Sequence, residues 1–169
     1  MHLNSLNSLY YLYIMSSNKM LWGKCTWTFL HTLAARISEN GYIKLRPQLL
    51  SITKKICYNL PCPDCARHAT IFMGKVTINS IPNKVVFQSM LFQFHNSVNM
   101  RLGKSQFTLE ELKIYKKNNL GISLQNFLTF YAKRYNGTIQ AGIQSTEIIR
   151  RRIAISVLEW VRKNWNYFI

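Results

Sequence analysis

Acidic residues and long apolar runs are both scarce in this sequence. Asp and Glu total 6 against 22 Lys and Arg, which gives the 169 residues a formal net charge of +16. Such an excess of cations favours an acidic partner, meaning nucleic acid, an anionic membrane surface or an acidic protein, but it also fits a solvated basic surface. No run of about 20 apolar residues is present, so the sequence predicts no membrane-spanning helix.

Cysteine is sparse as well, with 4 in the whole chain. This density does not indicate the disulfide framework of a small secreted protein. Cys25 and Cys57 fall at apolar helical positions and are expected in the core. Residues 9–15 are apolar but lack the basic start and the small-residue cleavage site of a signal peptide. We therefore interpret residues 1–19 as a loose tail and expect no secretion signal.

Helical periodicity runs along the rest of the chain, and no alternating pattern of the β-strand type is found, so an all-α fold is predicted. The first helix is expected to end at Gly41 and the second to begin at Pro47. A capping-box sequence that begins at Thr108 predicts a short helix. The helices are expected near residues 21–38, 47–60, 63–74, 82–102, 108–117, 123–135 and 146–165.

Two cysteines, Cys62 and Cys65, have the spacing of either a redox dithiol or a structural metal site. Pro63 suits a first helical position, so Cys62 is expected at a helix N-terminus, where the helix dipole favours a thiolate. The neighbouring Arg67 is expected to act in the same direction. These residues describe a reactive dithiol, while a zinc site stays open as the alternative.

The fourth predicted helix has an inward face that is expected to be apolar at its start and polar at its end. The expected apolar part is Val85, Ser89 and Phe92, and the expected polar part is His95, Asn96 and Asn99. Burying an amide or an imidazole without partners costs about 1–3 kcal/mol, so something polar must lie opposite. Either a structural network or a heteroaromatic cofactor meets this need. His31, four residues after Trp27 on the first helix, adds further ring and hydrogen-bonding groups.

These residues together closely resemble the Erv/ALR family of FAD-linked sulfhydryl oxidases. The resemblance covers about residues 20–117. The sequence looks most like the compact family members that large DNA viruses encode. The motifs that carry it are Trp22-Gly23-x-x-x-Trp27-x-x-x-His31, Cys62-x-x-Cys65 and His95-Asn96-x-Val98-Asn99-x-Arg101-Leu102-Gly103-Lys104.

The resemblance implies a small bundle of four helices plus a short fifth helix, which holds FAD and is usually a homodimer. On this basis residues 20–120 are expected to form the Erv/ALR-like domain. Residues 121–169 are expected to form a helical, basic C-terminal extension.

The resemblance also implies the chemistry of the site. Cys62 and Cys65 would form the redox disulfide, with Cys65 next to the flavin and Cys62 exchanging with a protein dithiol. Electrons would pass to FAD and on to molecular oxygen, giving hydrogen peroxide, and no metal is implied. The implied cofactor-binding residues are Gly23, Lys24, Trp27, His31, His95, Asn96, Asn99, Arg101 and Lys104.

Substrates and location are expectations of the same kind. No cysteine follows Cys65, so a distal shuttle dithiol is not expected, and a substrate such as a small thioredoxin-like carrier would reach Cys62 directly. An enzyme of the viral type without a signal peptide is expected in the host cytoplasm, the viral factory or the virion.

The alternative from another functional class is a zinc-stabilised, basic nucleic-acid-binding module. Cys62, Cys65 and His68 would supply three ligands, and the +16 charge would meet phosphate. Cys57 or His31 would be the fourth ligand. This hypothesis leaves the polar face of the fourth helix unexplained.

Overall fold

The computed structural model describes residues 21–133 and 141–169, with side chains described from residue 146 onward in the second segment. The tail expected at residues 1–19 and the end of the helix expected at residues 123–135 lie outside the described residues.

Within these two segments the structure consists of α-helices and their connections, and its one β-type contact is an isolated antiparallel bridge between Ile37 and Phe168. The predicted all-α fold is therefore confirmed. No helix in the described segments is long and apolar enough to cross a membrane. The helices are α1 (21–36), α2 (Glu39–Tyr58), α3 (Pro63–Gly74), α4 (Lys84–Arg101), α5 (Leu109–Ile114), α6 (Leu120–Tyr131) and α7 (Ala141–Lys163), followed by a 3-10 turn (Trp165–Tyr167).

Short polar side chains begin the helices that build the site. The Asn83 side chain accepts a hydrogen bond from the Val86 amide at 2.9 Å and starts α4. At α5, the Thr108 hydroxyl accepts from the Glu111 amide at 3.2 Å, and the Glu111 carboxylate accepts from the Thr108 amide at 2.6 Å. This reciprocal pair is the predicted capping box.

The predicted boundary between the first two helices is wrong. The Ser38 hydroxyl caps α2 by accepting from the Gly41 amide at 3.0 Å, so the helix begins at Glu39 and runs through Pro47. Proline removes the hydrogen bond to the carbonyl four residues earlier, that of Ile43. Because Ile43 is 74% exposed, water can take over that bond, and the helix continues.

The predicted inward face of α4 is wrong at its start. Val85 is 69% exposed, Ser89 is exposed as well, and Phe92 is only partly buried. The side chains that α4 buries are Phe87, Met90, Leu91 and Phe94. The apolar residues of α4 are spread around the whole helix. Periodicity alone therefore predicted a buried stripe next to the one that the structure buries.

The apolar spacing of α7 predicts a buried stripe, and this is correct except at its start, because Ile149 is 41% exposed. The predicted stripe is Ile149, Ile153, Val157 and Trp160 or Val161. The buried side chains of that stripe are Ile153, Val157 and Val161.

One continuous core joins the bundle to the helices after residue 120. Phe127 of α6 stacks on Phe29 of α1 with ring centroids 4.7 Å apart, and the Tyr131 hydroxyl donates to the Ile56 carbonyl at 3.3 Å. The Trp160 indole of α7 donates to the Gln48 side chain at 2.7 Å. Helices α6 and α7 thus pack on α1 and α2, and the division at residue 120 stays a prediction.

Candidate active site

The two cysteines of the Cys62-x-x-Cys65 motif lie at the N-terminus of α3, as predicted. Cys62 is the N-cap residue, and its sulfur accepts a hydrogen bond from the Cys65 amide at 3.3 Å. Pro63 occupies the first turn, where its missing N–H leaves nothing unpaired. Cys62 is partly buried, whereas Cys65 is 9% exposed. The helix N-terminus stabilises negative charge on sulfur at this position.

The cation that reaches the cysteines comes from α4. An Arg101 guanidinium nitrogen lies 3.9 Å from the Cys65 sulfur. The nearby Arg67, which was expected to act on the dithiol, instead forms an exposed ion pair with Asp64. Arg101 had been expected as a cofactor-binding residue, and its contact with sulfur had no signal in the local sequence because the two residues are 36 positions apart.

A cluster of aromatic rings joins α1, α4 and the segment around α5. Trp27 stacks on His95 with ring centroids 4.1 Å apart and an interplanar angle of 9°. The Phe107 ring stacks on His95 with centroids 4.8 Å apart, and the Tyr115 ring stacks on His31 with centroids 4.9 Å apart. The structure therefore brings together Trp27, His31 and His95, which were predicted, and adds two rings that sequence reasoning missed. Their only signal was their position shortly after the Gly103-Lys104 pair.

The two histidines of this cluster contact each other. His31 Nε2 and His95 Nδ1 are 3.1 Å apart. Burial, reinforced by His95, lowers the pKa of His31 to about 3. Burial likewise lowers the pKa of His95 to about 4, with Lys104 acting in the same direction and Glu111 against it. Both rings are therefore neutral at pH 7, and each offers one donor and one acceptor.

Asn96 holds the connection between α4 and α5. Its side-chain nitrogen donates to the Phe107 carbonyl at 3.0 Å, and its side-chain oxygen accepts from the Phe107 amide at 2.7 Å. Of the two alternatives for the polar end of α4, a structural network or a cofactor, the structure shows the network for Asn96. The consequence is that Phe107 is fixed against the histidine pair.

The remaining predicted positions lie at the rim of the cluster. Gly103 adopts the left-handed conformation, with φ of 64°, and ends α4 so that the Lys104 amide donates to the Asn99 carbonyl at 2.9 Å. Lys104 and Lys24 are exposed, and Asn99 is partly buried. Gly23 has no neighbour within 4 Å of where a Cβ would lie. Lys104 thus adds positive charge near His95, and Lys24 lies three residues before Trp27 on α1.

The chemistry of these groups fits FAD. Flat aromatic faces and neutral imidazoles suit the ring systems, and exposed cations suit a pyrophosphate. A cleft of about 230 Å³ opens beside His31, where Ala34 and Ala35 leave room on α1 and Leu112 closes the side of α5.

A zinc site finds no support in the described residues, where no three potential ligands converge. The His68 ring stacks at 6.3 Å on Phe94. Cys57 is buried in the core as expected, and burial raises the pKa of its thiol to about 12, so it is inert at neutral pH. Cys25 is partly buried, and burial raises its pKa.

Comparison with known proteins gives a consistent result. The family model described as the Erv1/Alr family matches residues 24–118. The chain is 31% identical over 93 residues to a protein of Invertebrate iridescent virus 3 that carries the name FAD-linked sulfhydryl oxidase. It is 33% identical over 102 residues to the FAD-linked sulfhydryl oxidase of African swine fever virus, isolate Tick/Malawi/Lil 20-1/1983, and 33% identical over 94 residues to that of Arabidopsis thaliana.

These matches cover part of each protein. The match to the iridescent virus protein covers 54% of this chain and 63% of that protein. The match to the swine fever virus protein covers 59% of this chain and 83% of that protein. The match to the plant protein covers 53% of this chain and 47% of that protein. No solved structure matches the chain.

Proposed function

Because the chain belongs to the Erv1/Alr family, we propose that it is an FAD-dependent sulfhydryl oxidase that forms disulfides in protein dithiols with oxygen as the electron acceptor. The observation that carries this proposal is the placement of Cys62 and Cys65 at the N-terminus of α3, with Arg101 3.9 Å from the Cys65 sulfur. The match over residues 24–118 includes both cysteines and the aromatic cluster.

The cofactor would be held by the aromatic cluster and by the polar and cationic groups on or next to α1 and α4. Trp27, His31 and His95 supply ring faces and neutral hydrogen-bonding nitrogens, and Lys24 and Lys104 supply positive charge. Gly23, Asn96, Asn99 and Arg101 complete the proposed set. When bound, FAD supplies a two-electron acceptor that returns the electrons to oxygen as hydrogen peroxide. Asn96 contributes by fixing the Phe107 backbone next to the histidine pair.

The difference in exposure between the cysteines supports their separate roles. A substrate thiolate attacks the more accessible Cys62 sulfur, which breaks the Cys62–Cys65 bond and forms a mixed disulfide. The second substrate thiol, after losing its proton, then displaces Cys62, so that the substrate gains a disulfide and the enzyme holds two reduced sulfurs. The helix N-terminus and Arg101 stabilise the negative charge that Cys65 carries at this stage.

The partners follow from the same proposal. Protein dithiols and oxygen are the substrates, with a small thioredoxin-like carrier as the proposed electron donor. A homodimer is the proposed assembly, and the viral relatives support a site of action in the host cytoplasm or viral factory, or in the virion.

The experiment that tests the proposal is the visible spectrum of the freshly purified protein, with the released cofactor identified by chromatography. We expect a yellow protein with one FAD per chain that produces hydrogen peroxide from dithiothreitol. A colourless protein that carries one zinc ion would contradict the proposal and support the nucleic-acid-binding alternative instead.

A further inference from the structure

A groove of about 540 Å³ lies between α4 and α3, the helix that carries the cysteines. It is separate from the aromatic cluster and from the cleft beside His31. Its walls combine apolar, hydroxyl, amide and cationic side chains. They include His68 and Ile71 from α3, Lys75 immediately after it, and Ser89, Met90 and Gln93 from α4.

One end of the groove adjoins the turn of α3 that follows Cys65. His68 and Phe72 follow Cys65 by three and seven residues, so the three side chains lie along one face of α3. His68 and Phe72 line the groove, and Cys65 contacts Arg101. A chain that enters the groove at His68 is therefore within one helical turn of Cys65.

His68 presents an unused hydrogen-bonding atom at this end of the groove. Its Nδ1 is buried and has no hydrogen-bond partner among the described residues. The ring is held in place by stacking on Phe94, and burial, reinforced by the Arg101 charge, lowers the pKa of His68. An unpaired, buried imidazole nitrogen is costly unless a ligand pairs with it.

The dimensions and lining suit an extended peptide. From His68 to Lys75 the helix rises about 10 Å, which about three residues of extended chain would span. The side chains of Ser89 and Gln93 make no hydrogen bond with the described residues, so both can pair with a peptide backbone. A peptide backbone offers N–H and C=O groups in alternation, so it can satisfy either tautomer of His68.

We propose that the groove between α3 and α4 binds the substrate polypeptide, as an extended, acidic segment next to the cysteine that exchanges with Cys62. The acidic preference follows from Lys75 at the far end of the groove and from the net charge of +16. This inference rests on the proposed oxidase function and adds the substrate's binding surface to it.

The test uses the flavin-containing protein and two reduced peptides that share a Cys-Gly-Gly-Cys core. One peptide is the bare core, and the other carries glutamate and leucine residues on both sides. We expect the extended peptide to have a KM about tenfold lower, which is the factor that one net hydrogen bond or apolar contact supplies.

Two groove variants should remove this advantage. Ile71→Asp repels an acidic segment, and Ser89→Phe fills the groove, so each should raise the KM of the extended peptide to that of the bare core without changing kcat. The matched control is Ile122→Asp on α6, because Ile122 is 60% exposed and Ile71 is 61% exposed. The control should keep the full difference between the peptides.

A binding measurement removes the dependence on turnover. Fluorescence anisotropy with serine-substituted, labelled versions of the two peptides reports the Kd directly. His68→Phe keeps a ring against Phe94 but lacks the unpaired nitrogen, and it should weaken binding of the extended peptide about tenfold.

Several outcomes would overturn the groove proposal. Equal KM values for the two peptides, or equal effects of the groove variants on both, would remove the groove from substrate binding. If Ile71→Asp instead turned a dimer into a monomer in light scattering and left both KM values unchanged, the groove would be a contact between copies of this chain. A protein without FAD or peroxide production would refute the oxidase function separately, while anisotropy would still report the groove.

Discussion

At the scale of single residues, the contact between His31 and His95 determines how the site responds to pH. Both rings are held neutral because burial removes the water that would stabilise an imidazolium, and each ring would repel a second positive charge on the other. A neutral pair can accept as well as donate, which a charged pair cannot. The arrangement therefore favours a heteroaromatic ligand over a simple anion.

The first prediction concerns stability on acidification. The pKa values of about 3 and about 4 lie below the ordinary 6.5, so as the pH falls the unfolded chain binds protons before the folded chain does. Stability from the neutral pair is complete above about pH 6.5 and is lost as the pH falls through this window, by at most about 1.4 kcal/mol per pH unit for each group.

Urea unfolding at several pH values measures this effect. His95→Gln should flatten the dependence of the unfolding free energy on pH between about 6.5 and 4, because one of the two titrating groups is gone. An unchanged pH profile in this variant would mean that the pair is not the source of the acid sensitivity.

At the scale of elements, the connection between α4 and α5 depends on one side chain. Asn96→Ala would remove both hydrogen bonds to the Phe107 backbone and release the ring that stacks on His95. We expect the unfolding free energy to fall by about 1–3 kcal/mol and the Phe107 amide to exchange hydrogen faster. The control is Asn126→Ala at an exposed position of α6. Equal losses in both variants would refute this role for Asn96.

A second element-scale prediction concerns the start of α2. A Cβ at Gly41 would lie 2.7 Å from the Tyr167 Cβ and 3.0 Å from the Tyr167 carbonyl oxygen, so the C-terminal turn would have to move. Gly41→Ala should therefore lower the unfolding free energy by about 1–3 kcal/mol, despite the higher helix propensity of alanine.

Gly74→Ala is the matched control for this effect. Gly74 is also a helical residue, the last of α3, but a Cβ there would have no neighbour within 4 Å. The substitution should be neutral or should stabilise by up to about 1 kcal/mol. A Gly41→Ala protein as stable as the Gly74→Ala protein would show that Tyr167 does not pack as described.

The helix boundaries show which features of the fold could be predicted from the sequence. The start of α3 at Pro63 and the capping box at Thr108 were predictable, because a few neighbouring residues specify each. The Ser38 cap that begins α2 is also local, but Gly41 was interpreted as the end of the first helix. The close packing of Gly41 against Tyr167 was not predictable, because Tyr167 lies 126 positions away along the chain. Chain-local signals cannot report a contact of that kind.

The same distinction holds in the site. The predicted Trp27, His31 and His95 do lie together, because their spacing places them on the facing sides of two helices. The contact of Arg101 with Cys65 and the use of Asn96 by the Phe107 backbone both depend on tertiary packing. Their roles toward the cofactor stay predictions.

At the scale of the whole molecule, the core does not end where the family match ends. The match stops at residue 118, yet Phe127 and Tyr131 of α6 and Val157 of α7 lie in the same core as Phe29. Each such side chain contributes about 1.5–3 kcal/mol when fully buried. The helices after residue 120 therefore stabilise the bundle, whatever further role they have.

A chain truncated after residue 120 should consequently lose cooperative unfolding. Its exposed core face would remain on α1 and α2, and we expect a broad thermal transition without the two-state shape of the full chain. Circular dichroism during heating measures this. A sharp transition at the temperature of the full chain would show that the first part folds independently.

The central claim is that Cys62 and Cys65 deliver electrons from a dithiol to a bound flavin, and anaerobic titration with dithiothreitol tests it most directly. The visible flavin absorbance of the unmodified protein should bleach with one equivalent of dithiol and return on admission of air, with formation of hydrogen peroxide. Cys65→Ser should keep its flavin and stay yellow under the same titration, while Cys25→Ser should bleach normally. Bleaching of the Cys65→Ser protein at the unmodified rate would contradict the account.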